Sequence, residues 1–190
     1  PVNNWPDVRD QLNQRGFSYL SLEHISPKLY DLINMRNLMG LRSPVHSLAR
    51  LINPLNAATV LQGIFHPPYA PRHQAVGHQL GYKHLAVIKG EGVEIERNPD
   101  NSMTLFSALN GELSEEEWPA MYQKRHLKES AMTVKQMKAI WKGSTSDEYA
   151  QGAVLGTCAV ALKALQPALT QEAAFEKANN LWSSRDLTLV

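Results

Sequence analysis

Arg36, Arg42, His46 and Arg50 fall within fifteen consecutive residues, and their spacing suits one kind of chemistry, the holding of an anion. Leu29, Leu32, Ile33 and Arg36 stand at i, i+3, i+4 and i+7, so an arginine ends an otherwise apolar helical stripe. A guanidinium cannot shed its charge, and at that point it needs an anion, a carboxylate or water. Ser43, His46 and Arg50 stand at i, i+3 and i+7 and share a face of a second helix, with Arg42 just before its Ser43-Pro44 start. The free N–H groups of a first helical turn already favour negative charge. Together these groups could form a phosphate cradle. The same spacing would also suit arginines paired with acidic residues and a packed or solvated histidine.

A second place for chemistry is Gly90-Glu91-Gly92-Val93-Glu94-Ile95-Glu96, directly after an apolar run. Loops at the carboxyl ends of parallel strands are where α/β folds hold their ligands. Glu94 and Glu96 alternate, and could either share Mg²⁺ with a substrate phosphate or face solvent as two carboxylates. His66, His73 and His78 do not match a zinc spacing, and no Ser-His-Asp arrangement, Walker loop or GxGxxG occurs. Lys124–Lys128 is basic but lies close to Glu115–Glu117, which points to a solvated face.

The elements that must position these residues read as an α/β chain. Val8–Gln14 is a short amphipathic helix, and Phe17–Leu22 alternates as a strand would. Ser26-Pro27 opens a helix that runs to Met39 and stops at Gly40. Ser43-Pro44 opens another, closed at Asn53-Pro54. Val60–Phe65 and Leu85–Lys89 are strands around a Pro71–Leu80 helix, an order that predicts a parallel unit. Met103–Leu109 is a further strand, and Leu113–Ser130, highly charged, reads as a surface excursion. Thr133–Trp141, an Ala-rich Glu148–Leu165 and Thr170–Trp182 are helices, the middle one apolar enough to be buried on more than one side. The expectation is one α/β domain, 1–190, with a central parallel-stranded sheet flanked by helices.

Composition bounds the rest. The apolar fraction is 43% and the charged fraction 19%, ordinary for a globular chain. A net charge of +1 gives no general warrant for nucleic-acid binding, so a positive patch must come from local clustering. One cysteine, Cys158, excludes an intrachain disulfide, reads as a core thiol and fits the cytoplasm. No apolar run is long enough for a membrane span, and no signal peptide is evident. Pro1–Pro6 reads as the middle of a loop, so an upstream segment is expected.

The order of these features resembles the anthranilate phosphoribosyltransferase family. The resemblance is carried by Met35-Arg36-Asn37-Leu38-Met39-Gly40-Leu41-Arg42-Ser43, by Leu51-Ile52-Asn53-Pro54-Leu55, by Gln62-Gly63-Ile64-Phe65-His66-Pro67, and by Leu85-Ala86-Val87-Ile88-Lys89-Gly90-Glu91-Gly92. The enzymes have a similar arginine, an "LGIR" turn, a helix ending in Asn-Pro, and a "HGxDGxDE" loop after a strand. The likeness covers about residues 15 to 185. It implies the larger α/β domain of the nucleoside phosphorylase-type fold, lacking an upstream helical domain and the first strands.

The segment Gly40–Leu51 is closer still to a paralogous branch whose best-known member binds DNA and RNA without sequence preference, through positively charged grooves of a homodimer. That implies a non-catalytic, homodimeric nucleic-acid binder that needs no cofactor and grips backbone phosphates with Arg36, Arg42, Ser43, His46 and Arg50. The alternative it implies is a Mg²⁺-dependent phosphoribosyltransferase acting on an aromatic or nucleobase-like acceptor, in which Arg36 matches the arginine that contacts anthranilate. Two departures bear on that alternative. The family's "GTGGD" loop would lie upstream of this chain and has no counterpart within it, and the adjacent Asp-Glu metal pair becomes Val93-Glu94-Ile95-Glu96.

Overall fold

Leu85, Ala86, Val87 and Ile88 are wholly enclosed, and the sheet is built outward from them. In the computed structural model, which describes residues 4–41, 43–90, 94–126 and 132–189, the chain groups into two compact units, 1–57 and 58–190.

Residues 58–190 hold a four-stranded sheet in the order β1 (Thr59–Ile64), β2 (His84–Lys89), β3 (Met103–Leu109), β4 (Glu112–Trp118). β1 and β2 are parallel, in register from Thr59 opposite His84 to Ile64 opposite Lys89. The other two pairings are antiparallel, so the expected parallel-stranded sheet is corrected to a mixed sheet with one parallel pair of three. The strand–helix–strand pattern carries a direction only for the two strands it joins. Beyond β2 the chain returns without a crossover helix, which reverses the strand.

β4 also corrects the reading of Leu113–Ser130 as a surface excursion. Asn110 (φ 49°) and Gly111 (φ 88°) form the two-residue turn that Leu109 and Glu112 close, the left-handed pair that matches strand twist in hairpins. As an edge strand, β4 tolerates Glu112, Glu115, Glu116 and Glu117, and such charge discourages pairing with another chain. Its last residue, Trp118, is fully buried.

Because β2 is covered on both sides, its sequence is a continuous apolar run rather than an alternating one. Leu85 and Val87 pack with Ile64, Ala70 and Ala108, on the side of α6 (Ala70–Gln79). Ala86 and Ile88 pack with Leu105, Trp118 and the small residues Ala159, Val160, Ala164, Ala174 and Ala178. Those five belong to α8 (Glu148–Leu165) and α9 (Gln171–Ser183), which lie against each other. From Tyr149 to Ala164 only Val154 is exposed, in line with the all-round apolar character of that helix. Asp147 and Thr170 cap these two helices through their side chains, and a Thr133–Gln136 capping box opens α7 (Val134–Trp141). Cys158 packs against the same core, and burial pushes its thiol pKa up.

Residues 1–57 are short helical pieces: α1 (Trp5–Arg15), α2 (Leu22–Ile25), α3 (Pro27–Asn34), α4 (Arg36–Met39) and α5 (Val45–Leu48), the last continued by a 3-10 turn, Ala49–Leu51. Asn4 caps α1, accepting the Asp7 N–H at 2.8 Å, and Gly16 closes it at φ 66°. Phe17–Leu22 is not a strand. Leu20 makes an isolated bridge and Leu22 begins a helix, while Phe17 and Tyr19 are 69% and 60% exposed, so the alternation has no buried face. The expected helix to Met39 breaks at Met35, and the one expected from Ser43 is a single α turn before the 3-10 turn.

Candidate phosphate-binding site

Arg36 is the first residue of α4, just past the break, and its side chain is exposed. Ser43, His46 and Arg50 are linked by local bonds. The Ser43 N–H donates to His46 Nδ1 at 3.3 Å, that nitrogen lies 3.1 Å from the Ser43 carbonyl oxygen, and Arg50 Nη1 donates to the His46 carbonyl at 2.8 Å. Ser43 Oγ is enclosed without a hydrogen-bond partner among the described residues. The spacing therefore does bring these three together. The α5 start contributes less than a long helix would, because its N-cap is Pro44 and the Ser43 N–H is already bonded to His46. Arg42 lies outside the described residues.

A charge pattern that motif reading passes over runs through this region. Residues 32–90 contain no aspartate or glutamate, yet carry Arg36, Arg42, Arg50, Arg72, Lys83 and Lys89. The formal +6 of that stretch is hidden in the overall +1 by acidic residues elsewhere. A count of charge along the chain, rather than over it, finds the pattern.

Glu94 and Glu96 are both exposed and sit in a tight turn, with the Glu96 N–H donating to the Glu94 carbonyl at 2.9 Å. The backbone here crosses the carboxyl ends of the parallel pair. A Cβ added at Gly63 or Gly90 would overlap the Glu94 carbonyl, so glycine at both positions is what lets the loop descend onto the sheet. Among the described residues no three His, Cys, Asp or Glu side chains gather as a metal site would require. His73 is buried and bonded to Gln62 Oε1 at 2.9 Å, while His66 and His78 are exposed.

Beside that loop lies a cavity of about 660 Å³. It opens where β2 and β3 part, since their pairing ends at Val87 opposite Phe106 while β2 runs on to Lys89. It is lined by Ile64, Lys89 and Phe106, by residues of the turn before β3 and by the first residues of β3.

The basic run at Lys124 holds a second cluster that the sequence reading took for solvated surface. His126 Nδ1 meets Asp100 Oδ1 at 2.7 Å, its Nε2 meets Glu148 Oε2 at 2.9 Å, and Asp100 also accepts the His126 backbone N–H at 2.7 Å. Hydrogen bonds to Glu148 and then Asp100 raise the His126 pKa above its ordinary value. Glu148 is held low, first by His126 and then by the charge of Lys124. Burial pushes Asp100 up, but its bonds with His126 outweigh that and leave it low. Both ring nitrogens are engaged, so the cluster ties the 98–126 segment to the start of α8 and is not arranged as an acid–base catalyst. Residues 127–131 lie outside the described residues.

Against known proteins, no family model matches the chain. Anthranilate phosphoribosyltransferase of Paraburkholderia phymatum is 26% identical over 110 residues, 58% of this chain and 32% of that protein. The same enzyme of Cupriavidus necator is 33% identical over 76 residues, 40% of this chain and 22% of that protein. An uncharacterized protein of Aquifex aeolicus is 30% identical over 83 residues, 44% of this chain and 27% of that protein. The chain is thus distantly similar to anthranilate phosphoribosyltransferases, and spans about a third or less of the length of these relatives. Among the described residues no helix is long and apolar enough to cross a membrane.

Proposed function

We propose that this chain binds phosphate groups of nucleic acid without sequence preference and without catalysis, on an anthranilate phosphoribosyltransferase-like fold. The observation that carries the reading is the stretch 32–90, which holds Arg36, Arg42 and Arg50 and contains no aspartate or glutamate. Fixed guanidinium groups beside a phosphate backbone supply affinity through counterion release, with no reading of bases. In this reading Ser43 and His46 help to order the grip, through the local bonds that link Ser43, His46 and Arg50. The binder works as a cytoplasmic homodimer and needs no cofactor.

The test is anisotropy of a labelled single-stranded oligonucleotide titrated at several salt concentrations. If three phosphates are neutralised, log K falls against log[salt] with a slope of about −2, from about −0.7 per phosphate. Arg36→Ala and Arg50→Ala should each reduce that slope by about 0.7. Absence of binding at low salt would sink the reading.

A second reading, Mg²⁺-dependent phosphoribosyl transfer, is favoured by the names of the relatives. Glu94 and Glu96 would then serve a Mg²⁺ that arrives with a pyrophosphate, whose oxygens and waters complete its shell. In the same titration, Mg²⁺-pyrophosphate competing at micromolar concentration while the oligonucleotide itself binds weakly would favour this reading.

A further inference from the structure

Directly after β1 the chain turns through a cluster of aromatic and basic side chains to which the phosphate grip gives no role. The Phe65 and His66 rings meet edge-on at 4.7 Å between centroids, and the His66 and Tyr69 rings lie 6.2 Å apart. Arg72 stands over the Tyr69 ring at 5.4 Å. These rings are not core. Phe65 is 50% exposed and Tyr69 44% exposed, whereas Ile64 and Ala70, next to them in the chain, are buried. The 3-10 turn Pro67–Tyr69 and the start of α6 fix the backbone beneath them, so little backbone freedom remains to be lost on binding.

Three features of this patch point to one class of ligand. Exposed aromatic rings on a rigid turn offer faces to flat, apolar surfaces that are themselves exposed, and an unpaired nucleobase is such a surface. Arg72 stands over Tyr69, and it lies with Lys89 in a stretch, 32–90, that carries six basic residues and no aspartate or glutamate. The 660 Å³ cavity borders the same turn through Pro67 and Ala70, and its volume is of the size that takes a small ligand such as one splayed base with its sugar. A duplex presents phosphates but keeps its bases stacked inside, so the rings would have little to hold.

We infer that Phe65, His66 and Tyr69, with Arg72 and Lys89, form a base-stacking platform that makes the chain prefer single-stranded over double-stranded nucleic acid. The inference rests on the phosphate-binding reading above and adds to it a contact with bases. It adds no sequence preference, because every base has a π face.

The test uses the full chain with three labelled probes carrying the same number of phosphates: a single-stranded oligothymidine, a blunt duplex and an abasic strand. Phe65→Leu keeps apolar volume and removes the ring, Tyr69→Leu does the same, and Tyr69→Phe retains the stacking face. Both leucine variants should weaken single-strand binding at least about five-fold, the lower end of what a lost stacking contact costs. Duplex and abasic binding, and the salt slope on every probe, should stay as in the wild type, and Tyr69→Phe should bind as the wild type does. Thermal unfolding of each variant confirms that it is folded. Equal losses on all three probes, or none on the single strand, would overturn the platform while leaving the phosphate grip intact. No binding of any probe by the wild type would overturn both.

Discussion

Single residues here do work that their types do not announce. His126 belongs to a basic run, yet it is held by Glu148 and Asp100 and flanked by the Tyr122 ring at 4.9 Å and the Tyr149 ring at 6.1 Å. Its raised pKa means that the protonated form is favoured by folding. The stability it adds is therefore present below the ordinary histidine pKa and lost as pH rises through the folded value. Asp100 and Glu148, both held low, act at the other end, and their contribution is lost as pH falls through their folded values. His84 opposes His126, because burial lowers its pKa and favours the neutral ring. Urea unfolding of the wild type and of His126→Gln should separate these effects. As pH rises from the ordinary histidine pKa through the raised folded value, the variant should lose less stability than the wild type, since the histidine contribution is gone. Equal losses in both proteins would show that His126 is not a stabilising cation in the folded chain.

At the scale of elements, Arg97 shows how packing overrides type. The residue joins the loop after β2 to Trp118 of β4, to α8 and to α9, and it is 1% exposed. Its guanidinium lies 5.2 Å from the ring centroids of both Trp118 and Phe175, and Nη2 donates to the Pro119 carbonyl. Nε and Nη1 have no hydrogen-bond partner among the described residues, and burial pushes the pKa down to about 10. Gly156 makes the room, since a Cβ there would stand 2.9 Å from Arg97 Cδ. A buried charge so weakly compensated adds little net stability, whereas its volume fills the gap between sheet and helices. Arg97→Met should then be neutral or stabilise by about 1 kcal/mol, while Arg97→Ala, which leaves a cavity, should cost about 2–4 kcal/mol. A methionine variant as unstable as the alanine one would mean that the polar contacts, rather than the volume, hold this junction.

For the whole molecule, the two units differ in how much core they own. Of the described apolar residues that are buried, only Val8 belongs to 1–57, and the rest lie in 58–190. Residues 58–190 produced alone should keep their helix and strand signature by circular dichroism and unfold cooperatively, and residues 1–57 alone should not. Loss of cooperative unfolding in the 58–190 piece would show that its core is incomplete without the first unit.

The amino-acid sequence by itself determined where most elements of 58–190 lie. Apolar runs, caps and prolines marked β1, β2, β3, α6, α8 and α9 to within a residue or so, because those signals act over a few neighbouring residues. It also set Ser43, His46 and Arg50 near enough in the chain for the local bonds that link them, although the helix expected to carry them is a single turn. Asn110-Gly111 was legible as a hairpin turn, though the charge of the following segment masked it. Only the tertiary structure decided the strand directions beyond β2, the pairing that makes an acidic segment into β4, and the glycines that let Glu94 cross β1 and β2. It alone brought Asp100, His126 and Glu148 together and buried Arg97 under two rings. Each of these joins residues far apart in the chain, and local spacing carries no record of which distant partners the packing of a shared core will select.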